Sequence, residues 1–283
     1  METYMALHGS ARPIIDSAIN HAATAPFLLD QVLALSALHL STQNPSKQSL
    51  YRHQATELQT RALGLFNQAR EEISHANGIP MFLFASLLGI HVLKETLSSH
   101  GNSLTAFIDA FINYVHLHRG VRTVITNASW AHILQSDLKP LLSLLSFSDD
   151  IEKQTPGTET VTLSKFLGSY DAGPESINAC QSALNHMQWA LDICHRNPSR
   201  EDLGIHATMA WPLLVPQEYI EALYQHRPEA FAVLAFYAAT LHRYREFWVF
   251  GESGSSLLQL ISSNLGSFWH DNLGLSVHVL LEA

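Results

Sequence analysis

Two kinds of helical patterning alternate along this chain. Residues 26–42, PFLLDQVLALSALHLST, are apolar on nearly every face and open with Pro26 at a first helical turn, which predicts an interior helix. Residues 46–75 differ: Tyr51, Ala55, Leu58, Ala62, Leu65, Ala69 and Ile73 recur at spacings of three and four, with Arg52, Glu57, Arg61, Gln68 and Glu71 elsewhere. That is a long amphipathic helix packing one stripe. Asn77-Gly78 breaks it, and PMFLFASLLGIHVLKETL from Pro80 is again apolar all round, predicting a second central helix over 80–97. Leu104, Phe107, Ile108, Phe111, Ile112 and Val115 form a further stripe over 103–118, ended by Gly120 after His118 and Arg119. Shorter helices are expected around 128–135 and 137–147.

The pattern changes over 148–174, where Asp149, Asp150, Pro156, Gly157, Gly168, Gly173 and Pro174 stand among polar residues. This stretch reads as a loop between two helical halves. Its fragment TVTL alternates but is too short to argue for a sheet. Helical spacing returns over 175–197, then near 216–225, over 228–250 up to Gly251, and over 254–272. There is no repeated strand patterning and no internal repeat. The expectation is an all-α bundle of about ten helices without sheet. Its parts are an N-terminal half (1–147), a polar loop (148–174) and a C-terminal half (175–283), forming one continuous domain.

Composition sharpens this. Of 283 residues, 47% are hydrophobic and only 14% charged, against the usual ~25% charged. There is more apolar surface than one sealed core needs, which points to a cavity or a partner face. With 25 acidic and 16 basic residues the net charge is −9, and no basic stripe is present to displace counterions from phosphates. The richest basic stretch, His116 to Arg122, reads as capping of a helix C-terminus. Direct nucleic-acid binding is therefore not expected. Cys180 and Cys194 fall on one predicted helix ~21 Å apart, too far for a disulfide. No secretory leader and no unbroken apolar run of ~18–20 residues is visible. The chain is expected to be intracellular, nuclear or cytoplasmic, without membrane insertion; self-association into a homodimer is left open.

Catalytic signatures fail one by one. Gly251-Glu252-Ser253-Gly254 is not G-x-S-x-G and lies between helices; there is no P-loop, dinucleotide fingerprint or H-E-x-x-H. His116 and His118, two apart on a helix, point in different directions. No metal and no cofactor is expected. His39 and His91 lie in all-round apolar helices, where an imidazole either bonds a backbone carbonyl or serves as a polar anchor facing a cavity. On the 228–250 helix, His242 and Glu246 are four apart and read as sharing a face, as do Arg243 and Phe247. Asp109, Asn113 and His116 line the less apolar side of their helix and are expected to be solvated. Aromatic residues crowd the central helices: Phe82, Phe84, Phe107, Phe111, Tyr114, Phe236, Tyr237, Phe247, Trp248 and Trp269.

The strings LLDQVLALSALHLS and YRHQATELQTRALGLF resemble the start of the regulatory domain of fungal zinc-cluster transcription factors of the sterol uptake control type. FLFASLLGIHVL, FIDAFINYVHLHRGVRTV, RPEAFAVLAFYAATLHRYREFWVFGESG and LISSNLGSFW continue the resemblance in order, from about residue 25 to 270. The resemblance implies an all-α domain that senses a hydrophobic molecule such as a sterol and controls transcription. Two cysteines cannot build the zinc cluster that precedes this domain in the family, and Met1 stands almost at the domain's own start. Phe236 stands where the family often has histidine, and after Trp269 the chain runs HDNL where a second tryptophan and a proline are usual. A pocket for a sterol, terpenoid or polyketide is expected at Phe84, His91, Phe107, Phe111, Tyr114, Phe236, Tyr237, His242 and Trp248. The alternatives are a cofactor-independent cyclase, isomerase or pericyclase of secondary metabolism using His91 and His242, and a protein-interaction module with a broad apolar surface.

Overall fold

The computed structural model describes residues 12–69, 78–98, 103–122, 135, 138, 155–266 and 268–269, with the side chains of 12–15 and 121–122 excepted. Among them are eleven α-helices, one 3₁₀ turn and no strand. The protein is all-α. The helices expected around 128–135 and 137–147 lie outside the described residues, apart from turn positions 135 and 138. The chain groups into two compact units, one of Met1–Glu95 with His116–Ser143 and the other of Thr96–Val115 with Leu144–Ala283.

In the first unit, α1 (Arg12–Ala22) leads into α2 (Pro26–Gln43), and the 3₁₀ turn Pro45–Lys47 reverses the chain into α3 (Gln48–Ala69). Phe27 meets Phe66 and Asp30 meets Arg61, so α2 and α3 run antiparallel. The α3 stripe read from the sequence turns inward as Ala55, Ala62 and Phe66; two alanines on the contact face let the helices approach closely. Next comes α4 (Gly78–Ser98). It is long and apolar enough to cross a membrane by length and composition, yet Met81, Leu83, Phe84, Leu87, Leu88, Leu93 and Leu97 are buried inside the protein. Such burial marks a core helix. Phe84 touches both Phe27 and Phe66, and Arg52 reaches Glu95 with Nη2 at 3.0 and 3.2 Å from its two carboxylate oxygens. Asp30, only 5% exposed, is gripped by Nε and Nη2 of Arg61, each at 2.5 Å. This planar fork satisfies a carboxylate that would otherwise be buried alone.

Helix α5 (Leu104–Arg122) passes straight through Gly120. The sequence reads Gly120 as the helix end, but a glycine ends a helix when it takes the left-handed conformation, and the left-handed glycine among the described residues is Gly251, at φ 49°. Asp109, Asn113 and His116 are exposed along α5.

The second unit holds a helix within the segment read as a loop, α6 (Val161–Ser169). Leu163 and Leu167 are its buried contacts; two apolar residues one turn apart, amid Thr, Ser, Lys and Gly, are too faint a period to call. Residues 155–160 are not loose either. Thr160 donates through N–H and Oγ1 to Gln188 Oε1 at 3.0 and 2.8 Å, and the Gly157 N–H donates to Asp192 Oδ1 at 3.0 Å. These bonds strap the segment to α7 (Pro174–Arg196). A side chain at Gly157 would run into Glu159, Gln188 and Asp192.

Around α7 pack α6, α8 (Glu201–Leu214), α9 (Gln217–Tyr224) and α10 (Pro228–Arg243). The sequence reading passes over α8, because Gly204 and Pro212 interrupt its pattern. Gly204 is needed there by packing: the Tyr244 ring occupies the space its Cβ would take. Every residue of α10 from Glu229 to Leu241 is buried, so it is the innermost helix of the unit. Expected to run to 250, it stops at Arg243, and overlapping turns continue to Glu252. Glu246 and Phe247 therefore do not share a helical face with His242 and Arg243. Last comes α11 (Ser253–Asn264), pressed on α10 through Gly254.

Candidate functional site

The expected ligand-binding residues fall into groups, each described within its own unit. In the second unit, α5 supplies Phe107, Phe111 and Tyr114, all essentially without exposure, at the i, i+4 and i+7 positions of one face. Phe107 and Phe111 stack at 5.7 Å, and Phe111 lies 6.2 Å from Tyr114 and 5.8 Å from Tyr237 of α10. The Tyr237 ring also stacks on Trp211 of α8 at 4.8 Å and 21°, and Trp211 meets Tyr219 of α9 edge-on at 5.7 Å. A column of six rings from four helices thus runs through the interior, with spacings suited to offset and edge contacts.

The polar tips of this column are unequal. Trp211 donates its indole N–H to the Ala183 carbonyl at 2.9 Å, and Tyr219 donates its hydroxyl to the Ala230 carbonyl at 3.1 Å. The Tyr237 hydroxyl is buried and finds no hydrogen-bond partner among the described residues. Burial pushes the Tyr237 phenol far above its ordinary range, with the nearby Tyr114 adding to the rise, and burial does the same to Tyr114. Both rings stay neutral at any physiological pH, so they offer hydroxyl chemistry, not charge.

In the first unit, Phe84 stacks on Phe66 at 4.3 Å with Phe27 edge-on to both. His91 is 1% exposed and meets Gln31, which is fully buried, at 3.5 Å between Nδ1 and Nε2. The contact is at the outer limit for a hydrogen bond, and the Gln31 Oε1 has no partner among the described residues. Desolvation lowers the His91 pKa to about 4, so the ring is neutral at pH 7. Its partner is a side-chain amide, not the backbone carbonyl weighed from the sequence.

Residues 5–197, about two thirds of the chain, match the fungal-specific transcription factor domain. The chain belongs to this family. A Zn(2)-C6 fungal-type transcription factor of Gibberella zeae is 26% identical over 236 residues, covering 78% of this chain and 46% of that protein. The chain thus spans about half the length of the curated relative it matches. No solved structure matches it. Membership supports a regulatory role for this domain.

The remaining candidates of the regulatory domain are scattered. Phe236 is fully buried on α10, one residue and so ~100° around the helix from Tyr237. His242 is half-buried in the last turn of α10, its Nδ1 unbonded among the described residues. Trp248 is half-buried in the turns after α10 and is not on a helix. Half-buried His39 has its pKa lowered chiefly by desolvation. Both cysteines sit buried as free thiols on α7. Among the described residues no three His, Cys, Asp or Glu side chains are grouped to hold a metal ion. Five members of these clusters escaped the sequence reading: Phe27, Phe66, Gln31, Trp211 and Tyr219. Trp211 and Tyr219 sit on α8 and α9, away from the helices read as central. Gln31 did leave a signal, as a strongly polar side chain next to Asp30 in the first half of an otherwise apolar helix.

Proposed function

We propose that this domain is the effector-sensing part of a fungal transcriptional regulator. Its effector is an uncharged, mostly apolar molecule of sterol, terpenoid or polyketide type with one hydrogen-bonding group that meets Tyr237. The observation carrying this reading is the unpartnered Tyr237 hydroxyl in the middle of the aromatic column. A buried hydroxyl without a partner costs ~1–3 kcal/mol. An effector group that bonds it removes that cost on binding, while aromatic faces accept its apolar body. A neutral site of this kind favours an uncharged effector, since the column has no cation or anion to match a charge. The role goes with an intracellular, nuclear site of action and with DNA contact made by a part of the regulator other than this domain.

A thermal-shift screen of sterols, terpenoids and polyketides tests it. A compound at 100 times its Kd adds ~2.7 kcal/mol if it binds only the folded state. The expected outcome is a compound that raises the melting temperature of the wild-type protein and does so much less for Tyr237→Phe. Equal shifts in both proteins would remove Tyr237 as the anchor, and no shift with any compound would end the reading. Recovery of a chemically altered compound by mass spectrometry would replace it with the cyclase or isomerase alternative.

A further inference from the structure

Gln31 of α2 and His91 of α4 form a polar pair in the interior of the first unit, 0% and 1% exposed. They meet through Gln31 Nε2 and His91 Nδ1 at 3.5 Å, a contact that uses one atom of each side chain. Gln31 Oε1 has no partner among the described residues, and none of them bonds His91 Nε2. Phe27 stands one turn before Gln31 on α2, and Phe84 two turns before His91 on α4, and the two rings touch at 5.6 Å. The helices therefore meet along one line, closed by aromatic rings at one end and carrying the unmet polar atoms further along. His91 owes its lowered pKa to desolvation alone, whereas Lys94, one turn on, acts on His39. No charged group contributes at the pair, and the ring is neutral at pH 7.

We propose that Gln31 and His91 form a binding site for a hydroxyl group, taken from a buried water or from a small uncharged alcohol. The donors and acceptors of the pair carry it. If the Gln31 amide donates to Nδ1, the neutral ring holds its proton on Nε2, leaving Oε1 as an acceptor and Nε2–H as a donor. If the amide is turned over, Oε1 accepts from Nδ1–H, leaving the amide N–H groups as donors and Nε2 as an acceptor. Either way the pair requires a group that donates and accepts at once, and a hydroxyl does both. A carbonyl or an ether only accepts. An ammonium only donates, and would be stripped of water with no counter-charge beside it. Leaving two buried polar atoms unmet is costly, which favours an occupant, and a buried water typically makes ~3 bonds to such atoms. The site does not depend on Tyr237, which belongs to the second unit.

Proton–nitrogen NMR of the isotopically labelled full chain at pH 7 tests it on the His91 ring nitrogens, assigned with His91→Leu. Cyclohexanol is the alcohol probe, and cyclohexanone, the same ring with an acceptor only, is its control. An alcohol site predicts that cyclohexanol shifts the His91 Nε2 resonance saturably while cyclohexanone does not. Gln31→Met keeps the side-chain volume and removes the amide; it should weaken cyclohexanol about tenfold, the loss of one hydrogen bond. A water site predicts magnetisation transfer from water to the carbon-bound His91 ring proton in the wild type, with no response to either probe, and loss of that transfer in Gln31→Met. Circular dichroism should show Gln31→Met folded; if it does not fold, the wild-type spectra with the two probes and with water decide alone. Neither a cyclohexanol shift nor water transfer, an equal response to cyclohexanone, or transfer that survives Gln31→Met would overturn the proposal.

Discussion

Tyr219 and Tyr237 share a side chain and full burial but differ in hydroxyl chemistry, and stability should register the difference. Tyr219 spends its hydroxyl on Ala230, whereas Tyr237 has none of the described residues to spend it on. Removing the Tyr237 oxygen relieves a desolvation cost, so Tyr237→Phe should stabilise the ligand-free protein by about 1 kcal/mol. That is a rise of ~2–4 °C in melting temperature for a chain of this size. Tyr219→Phe should lower stability by about 1 kcal/mol in the same denaturant melts. His91 makes a prediction in pH. Its pKa is depressed by burial from the ordinary 6.5 to about 4, so the unfolded chain takes up the proton first. Stability from this site is complete above pH ~6.5 and is lost as pH falls towards 4, by up to about 3 kcal/mol. Urea melts at pH 7 and 4.5 should show this loss in the wild type, and His91→Leu should lack that share of it.

At the scale of elements, glycines separate what a helix tolerates from what a contact demands. Gly254 is the second residue of α11, where a Cβ would lie 2.8 Å from the His242 Cα and closer to other backbone atoms of α10. Backbone cannot swing aside as a side chain can, so Gly254→Ala should destabilise by ~1–3 kcal/mol or more by prising α11 from α10. Gly64 sits exposed within α3 with nothing near its missing Cβ. There the alanine gains helix propensity and loses chain entropy in the unfolded state, so Gly64→Ala should stabilise by ~0.5–1 kcal/mol. Paired thermal melts of the two variants decide both. Opposite signs are the expected result; a Gly254→Ala variant as stable as the wild type or more so would mean that α10 and α11 do not meet at Gly254. The end of α10 obeys the same logic of contact. The Tyr244 ring lies over Gly204 near Cys194, and the chain leaves its helical path there.

For the whole molecule, the charge of −9 argues against DNA contact by this chain itself. The isolated chain should show no salt-sensitive binding to duplex DNA in a fluorescence titration. Micromolar affinity that falls steeply as salt rises would contradict this, because such a slope requires several phosphates neutralised by lysine or arginine.

Periodicity was enough to place α2, α3, α4, α5, α7 and α9, and the start of α10, because an apolar stripe repeated over three or more turns has few other uses. The ordered series of such stripes was enough to suggest the fungal regulatory family. It was not enough for α6 and α8, whose few inward residues are interrupted by glycine and proline and become helical through packing on α7. Nor could it say that α10 stops at Arg243, since only the contact of Tyr244 with Gly204 marks the place. The candidate site divides the same way. Phe107, Phe111, Tyr114 and Tyr237 were legible as aromatics on central helices, while Trp211 and Tyr219 joined them only once α8 and α9 had packed beside α10. Which tyrosine hydroxyl is left without a partner is a consequence of long-range contacts. Residues far apart in the chain supply or withhold the partner, and no local pattern records that choice.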